Sequence, residues 1–226
     1  MYRTIFLNEI KGIICKVIEV NAEDVISFSI GRYYLTLRRK KIIKKVGDLL
    51  DTKERLKRFE QVVTYYIEEL SNYSLDEFTR KPSEDEWSLG QMYNHLIKCT
   101  LDLHLKAIEQ CANGNASDGG KKTEIGESIF KEGTFPPIRV KGPDTSDFTP
   151  PNPTGKEEVK EGLLQTNEKM REIERKLSDI PASQKVQHRA MGYLNAEEYF
   201  QLIDMHFRHH LRQKERIDQF LSKVSK

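Results

Sequence analysis

Two histidines late in the chain have the spacing of side chains that share one metal ion. His206 and His210 are four residues apart, so their imidazoles project from one face of a helix. They also fall on the apolar stripe of that segment, where a polar ring needs a partner. A metal ion would satisfy both rings together, although three histidines between 206 and 210 make this spacing easy to reach by chance.

A third histidine, His95, strengthens the metal hypothesis. It lies on the apolar stripe of an earlier predicted helix, beside Met92 and Cys99. A helical bundle that buries both stripes would bring His95 to His206 and His210. Each ring alone is more simply interpreted as a hydrogen-bonded core histidine. Three imidazoles with a solvent molecule, however, form the open ligand set of a catalytic metal site.

Three other polar side chains have weaker signals. Cys99 could complete a His3Cys site, but a free cysteine is more often a small buried residue. Gln213, one turn beyond His210, is a candidate for orienting solvent or substrate, and otherwise forms a hydrogen bond at the edge of the core. His188, in the segment before the last helix, is a candidate acid or base, and otherwise packs or hydrogen-bonds locally.

The two remaining histidines are not predicted to join the site. His104 follows His95 by nine residues, which on a regular α-helix places it on the opposite face. His209 is offset by about 100 degrees from His210 and should point sideways.

Four amphipathic helices with apolar residues at steps of three and four would carry these side chains. Each begins at a residue that can cap a helix, with Glu or Gln three residues later: Asp51 with Glu54, Ser88 with Gln91, Thr154 with Glu157, and Asn195 with Glu198. The second helix should end near Gly114, the third before Pro181 and the fourth near Leu221. Residues 51–226 are therefore predicted to form an all-α four-helix bundle.

The connection at 114–153, between the second and third helices, is long and rich in Gly and Pro. A short helix is predicted within it, around Thr123–Lys131. Loops of this length are uncommon in compact domains and often act as lids or binding loops. We therefore expect this connection to cover or wall the site.

The first fifty residues differ from the rest. Alternating apolar residues at 26–37 predict a β-hairpin, which is marginally stable when isolated. The codon set for residues 44–48 is also compatible with a ribosome-binding sequence, and Leu50 with a UUG start. Residues 1–50 are therefore an N-terminal extension, which is either a weak hairpin or, as a hypothesis, an artefact of the gene model.

Charge and composition bound the class of protein. There are 37 basic and 35 acidic residues, and the basic excess lies in residues 1–50, with ten Lys and Arg against five Asp and Glu. The mildly acidic remainder argues against nucleic acid as a partner. The three cysteines lack CxxC spacing, and no apolar stretch reaches the roughly 18 residues of a membrane span. We expect a cytoplasmic protein that does not bind membranes.

Three segments resemble the DinB-like or YfiT-like metalloproteins over roughly residues 51–226: WSLGQMYNHL at 87–96, MGYLN at 191–195, and HxxxHxxQ at 206–213. The resemblance implies a four-helix bundle with a metal ion at His95, His206 and His210. That family includes bacillithiol- and mycothiol-dependent S-transferases and isomerases, proteins described as metal-dependent hydrolases, and damage-inducible members without an assigned reaction.

Three functions follow as expectations. The preferred one is a thiol S-transferase, in which a divalent ion activates a low-molecular-weight thiol against a small-molecule substrate. The first alternative is a hydrolase that uses metal-bound hydroxide, and the second is a non-enzymatic stress protein whose ion only stabilises the bundle. Zinc is the preferred ion, with nickel or another transition metal as alternatives. An exposed bundle face could also pair two copies as a homodimer.

Overall fold

A computed structural model describes residues 16–20, 25–30, 33–137 and 149–224, with side chains from residue 52 onward. The chain divides into two compact units, Met1–Asp51 and Thr52–Lys226. In the first unit, strands β1 (Lys16–Val20), β2 (Val25–Ile30) and β3 (Tyr33–Arg38) form an antiparallel sheet in that order. The alternation at 26–37 falls on β2 and β3.

Helix α1 spans Arg39–Glu69 and therefore begins earlier than predicted. The predicted N-cap, Asp51, is wrong, because this residue lies inside α1. Residues 39–50 contain no proline and only one glycine, so a helix continues through them at little cost. The apolar stripe that begins after residue 51 indicated where burial starts and not where the helix starts.

The remaining elements form a mostly helical unit, which confirms the predicted all-α class. Its helices are α2 (Leu75–Thr79), α3 (Leu89–Lys98), α4 (Leu105–Ala112), α5 (Glu124–Glu132), α6 (Lys156–Leu177) and α7 (Ala196–Val224). A 3₁₀ turn at Leu70–Asn72 follows α1, and a π-helical segment, Cys99–His104, joins α3 to α4. A small antiparallel sheet, absent from the sequence prediction, contains β4 (Ser117–Asp118), β5 (Gln184–His188) and β6 (Gly192–Asn195).

Two of the predicted capping boxes are confirmed. Ser88 and Gln91 exchange side-chain and backbone hydrogen bonds at the start of α3, and Asn195 and Glu198 do so before α7. The third box, at residues 154–157, is wrong. Gly155 is the N-cap of α6, because the backbone N–H and the hydroxyl of Thr154 both bond to the carboxylate of Glu158.

Buried aromatic rings fix α1 against the two helices that carry the histidines. Phe59 and Tyr66 of α1 contact Phe207 of α7 edge to face, at centroid separations of 5.0 and 5.9 Å. Tyr66 also contacts Tyr93 of α3 at 5.0 Å. The Tyr66 hydroxyl donates to the Phe207 carbonyl at 3.0 Å, and the Tyr93 hydroxyl donates to the Tyr66 carbonyl at 3.1 Å. Buried hydroxyls need such partners, so these bonds set how α3 and α7 lie relative to each other.

The end of the long connection is held against the start of α3. Gln91, besides capping the helix, donates from Nε2 to the Pro150 carbonyl at 2.8 Å. A Cβ on Gly90 would lie 2.5 Å from Cδ of Pro153, so only glycine allows this approach. The connection is therefore anchored at its C-terminal end close to His95.

The β5–β6 hairpin is fitted closely to residues 121–123. Gly192 has a φ of 77°, and a Cβ there would lie 2.6 Å from the Lys121 carbonyl oxygen. Thr123 donates its hydroxyl to the Ala190 carbonyl at 2.8 Å. The hairpin thus holds the start of α5 and positions His188 at the end of β5. Among the described helices, none is long and apolar enough to cross a membrane.

A buried lysine joins α7 to the end of α1. The side chain of Lys214 is 1% exposed, and its Nζ donates to Glu69, Tyr73 and Asp218 at 2.5, 2.7 and 2.8 Å. Burial acts to lower the pKa of Lys214, but the hydrogen bonds to Asp218, Glu69 and Tyr73 outweigh it and raise this pKa above its usual value. Lys214 is therefore charged, and its ion pair with Glu69 holds α7 against the end of α1.

Replacing Lys214 by Met should lower the free energy of unfolding by about 1–3 kcal/mol, because it leaves two partly exposed carboxylates without their cation. Urea denaturation would measure the change. Lys160→Met, which removes only an exposed pair with Glu157, should cost less than about 1 kcal/mol. Equal losses in the two variants would contradict a structural role for the buried cation.

Candidate metal centre

Three histidines from two helices converge on one point. His95 comes from α3, and His206 and His210 lie one turn apart on α7. The Nε2 atom of His206 lies 3.0 Å from Nε2 of His95 and 3.1 Å from Nε2 of His210. The ligand atoms of the three residues are all within 4.8 Å of one another. The structure therefore brings together the three residues predicted from the sequence.

The donor set fits a divalent metal ion. Nitrogens that bind zinc tetrahedrally at about 2.0–2.1 Å lie about 3.4 Å apart, close to the two shorter separations found here. Burial lowers the pKa of His95 to about 4 and that of His210 to about 3, and lowers the pKa of His206 well below its usual value. Neutral rings offer lone pairs, so the group could hold a cation.

Gln213 determines which nitrogen of His210 carries the proton. Its side-chain oxygen lies 2.8 Å from Nδ1 of His210, and an amide oxygen only accepts hydrogen bonds. Nδ1 therefore donates, and the lone pair of the neutral ring is on Nε2, the atom that faces His206. Gln213 thus contacts and orients a candidate ligand.

Trp87 and Cys99 both contact the ring of His95. The Trp87 and His95 rings lie 5.0 Å apart, and Cys99 Sγ is 3.5 Å from Nδ1 of His95. Burial raises the pKa of the Cys99 thiol to about 11, so the sulfur is protonated at neutral pH. In the part of the chain that the structure describes, the candidate ligand group contains neither Cys99 nor a carboxylate.

The three histidines lie in a wide cleft of about 1720 Å³, above the roughly 300–1,000 Å³ of ordinary small-molecule sites. Its lining includes the apolar side chains of Trp87, Leu202, Ile217 and Phe220. Charged side chains, such as Arg216, also border it. The whole cleft is therefore large enough to admit two small molecules.

The long connection supplies one wall of this cleft. The predicted short helix is confirmed as α5, with the Thr123 side chain as its N-cap. Ile125 and Ile129 of α5 line the cleft, as does Phe135, whose ring is 6.2 Å from that of His206 and 5.1 Å from that of His209. The expectation that this connection forms a wall thus fits its described part, and residues 138–148 lie outside the described residues.

The prediction that His104 lies on the face opposite His95 is wrong. His104 also lines the cleft, and its ring centroid is 5.9 Å from that of His206. The cause is the π-helical segment, in which the Leu105 N–H bonds to the Thr100 carbonyl five residues earlier. A π turn is wider than an α turn and rotates each residue less, so His104 returns toward the site. His209 also lines the cleft but is not in the candidate ligand group.

His188 faces the same cleft from the hairpin. Its Nδ1 accepts hydrogen bonds from the backbone N–H groups of Ala190 and Met191, each at 3.2 Å. Burial lowers the pKa of His188, so the ring is neutral and its proton is on Nε2. A neutral ring whose Nδ1 lone pair is engaged by the backbone offers only a hydrogen-bond donor at Nε2, so His188 is poorly suited to both the predicted acid role and the predicted base role.

Comparison with protein families agrees with this site. A family model of the DinB superfamily matches residues 56–213. The chain belongs to the DinB superfamily. The DinB superfamily match includes the three clustered histidines and extends to Gln213, and the DinB superfamily is metal-binding. Comparisons with curated proteins and with solved structures gave no match.

Replacing His206 or His210 by Ala should abolish stoichiometric binding of zinc, because two imidazoles remain where three are needed. Elemental analysis after dialysis, together with a zinc titration, would measure it. His209→Ala is the matched control on α7 and should keep one equivalent. Gln213→Leu should weaken binding by about 10–100-fold without abolishing it, since it removes only the orienting contact. Equal zinc content in the His206→Ala, His210→Ala and His209→Ala proteins would refute the ligand assignment.

Proposed function

We propose that this protein is a metal-dependent thiol S-transferase, which joins a low-molecular-weight thiol to an electrophilic carbon of a second small molecule. The observation that carries the proposal is the convergence of three imidazole nitrogens in an accessible cleft. Among the described side chains, none completes the group as a fourth ligand. Such a site leaves room for a ligand from solution, as catalytic sites do and closed structural sites do not.

His95, His206 and His210 are the proposed ligands of the ion. Held by three neutral imidazoles, the ion supplies an uncompensated positive charge that favours the deprotonated form of a thiol placed against it. In the transfer, a sulfur–carbon bond forms and the bond from that carbon to its leaving group breaks. The leaving group departs with the electron pair, and the thiol proton passes to solvent. Zinc is the ion we favour, because it binds both imidazole and thiolate.

The surrounding residues have roles in positioning. Gln213 and Trp87 orient His210 and His95 through the contacts described above, so that both rings present Nε2 to the same point. The apolar side chains of the cleft, among them Phe135 and Phe220, would pack against a bound substrate and displace water from it. A thiolate in such surroundings is less hydrated, and the electrostatic interactions around it are stronger than in water.

The choice of a thiol over water rests on the resemblance to thiol-transferring proteins. A divalent ion on three imidazoles acidifies water as well as thiols, and the chemistry of the ligand set alone does not separate them. The alternatives are therefore hydrolysis, with water as the nucleophile, and a purely structural ion. One experiment distinguishes all three.

In the zinc-loaded protein, formation of a thioether from 1-chloro-2,4-dinitrobenzene should require both the metal and an added thiol. It should disappear on chelation and in His95→Ala, which leaves two of the proposed ligands. Bacillithiol, mycothiol and cysteine would be tested separately, with the product followed by absorbance. In the cobalt-substituted protein, the effective thiol should produce a sulfur-to-metal charge-transfer band, which reports the bond directly.

Two results would overturn the proposal in different directions. Metal-dependent hydrolysis of aryl esters in thiol-free buffer, with inhibition by added thiol, would establish the hydrolase. No turnover of either kind, with a loss of stability on chelation, would instead favour the structural ion.

A further inference from the structure

A second cluster of polar rings, His104, His188 and Tyr199, lies beside the three-histidine group, and none of the three is a proposed ligand. His104 comes from the π-helical segment, and its ring centroid is 6.1 Å from those of His188 and Tyr199 and 5.9 Å from that of His206. The Tyr199 hydroxyl is engaged by the Val186 carbonyl at 3.3 Å. The two imidazoles therefore remain as the groups that could bind a substrate next to the metal site.

The backbone fixes His188 as a hydrogen-bond donor. Two N–H groups, from Ala190 and Met191, point at its Nδ1, so this nitrogen must carry the lone pair and Nε2 the hydrogen. Within the described part of the chain, no acceptor is bonded to Nε2, although the ring lines the cleft. A donor held in this way is ready for an acceptor that arrives from solution.

His104 has unused hydrogen-bonding capacity as well. Its side chain is buried, with 5% of the residue exposed, and its Nδ1 has no partner among the described residues. Buried polar atoms of this kind are rarely left unpaired. The π-helical segment that brings His104 here is a type of irregularity found frequently at functional sites.

We propose that His188 and His104 form a subsite for an oxygen atom of the electrophilic substrate, which places the adjacent carbon toward the three-histidine group. The inference rests on the proposed S-transfer and narrows its substrate class to electrophiles with an oxygen acceptor beside the reacting carbon, such as α-halo ketones. His188 supplies an N–H to this oxygen. His104, whose ring lies 6.1 Å from that of His188, supplies a second polar contact.

The matched probes are acetophenone and ethylbenzene, which differ in the carbonyl group and do not react with thiols. Their binding to the zinc-loaded full-length protein can be followed by fluorescence of Trp87, the only tryptophan in the chain, which lines the cleft. Acetophenone should bind about tenfold or more tightly than ethylbenzene, as expected for a hydrogen bond formed away from water.

Two substitutions separate the donor role of His188 from its structural role. In His188→Asn, the side-chain oxygen can replace Nδ1 as the acceptor for the backbone, but the distal N–H is lost. In His188→Gln, the side-chain amide can replace the distal N–H, but the backbone acceptor is lost. We expect His188→Asn to abolish the preference for acetophenone and His188→Gln to retain part of it, while both keep one equivalent of zinc. His104→Phe should also reduce the preference.

An unchanged preference in His188→Asn, or no preference in the wild-type protein, would overturn the subsite. So would a lack of measurable binding of either probe. The result is separable from the proposed function, because turnover of phenacyl chloride and benzyl chloride with thiol is a distinct assay. A carbonyl preference in binding without any S-transfer would leave the subsite standing and refute the transferase. S-transfer without a carbonyl preference would support the transferase and refute the subsite.

Discussion

The close approach of three imidazole nitrogens is the constraint on which the site depends. Nε2 of His206 lies within 3.1 Å of Nε2 of both His95 and His210. The lone pair of His210 is directed inward, because Gln213 accepts the proton on the other side of its ring. Three neutral rings whose Nε2 atoms face one another cannot all form hydrogen bonds within the group. A cation can bind all three lone pairs and so stabilise the rings together. The ion we propose would therefore stabilise the bundle as well as act in catalysis.

The rest of the unit positions those nitrogens and shapes the cleft around them. The Tyr66 hydroxyl bonds to the carbonyl of Phe207, which is next to His206 in the chain. The hydroxyl of Tyr93, two residues before His95, bonds to the carbonyl of Tyr66. Helix α5 and the β5–β6 hairpin are held together through residues 121–123, and they build the wall opposite the bundle helices. The ligand group therefore belongs to regular helices, whereas its surroundings come from connections. Because connections tolerate sequence change better than packed helices, such a division allows the surroundings of the ligand group to vary without moving the ligands.

Local signals in the sequence predicted much of the fold. The i, i+4 pair on α7, the capping residues at Ser88 and Asn195, and the short helix α5 each depend on contacts within a few residues. Reliance on local signals also explains two errors: the predicted start of α1 and the predicted N-cap of α6 were wrong. The apolar pattern reports burial rather than helix ends, and Glu158 competes with Glu157 for Thr154.

The position of His104 depended on information that the sequence pattern does not contain. Nine residues on a regular helix give half a turn, but the π-helical segment changes the angle. Thr100 lies in this segment, and its hydroxyl bonds to the Leu96 carbonyl at 2.8 Å and so competes with the regular helical bond, but a threonine alone does not predict a π-helical segment. The β5–β6 hairpin that orients His188 is local, but it was missed because β5 (Gln184–His188) contains a single apolar side chain and so shows no alternating pattern. The pairing of β4 with β5 joins residues more than sixty positions apart and has no local signal at all.

X-ray absorption spectroscopy of the zinc-loaded protein, before and after addition of the thiol that supports turnover, tests the central claim most directly. The account predicts three nitrogen ligands and one oxygen ligand at about 2.0–2.1 Å, with the oxygen replaced by one sulfur at about 2.3 Å when the thiol is added. A sulfur ligand already present without thiol would show that Cys99 closes the site. That result, or a spectrum that does not change with thiol, would contradict the account.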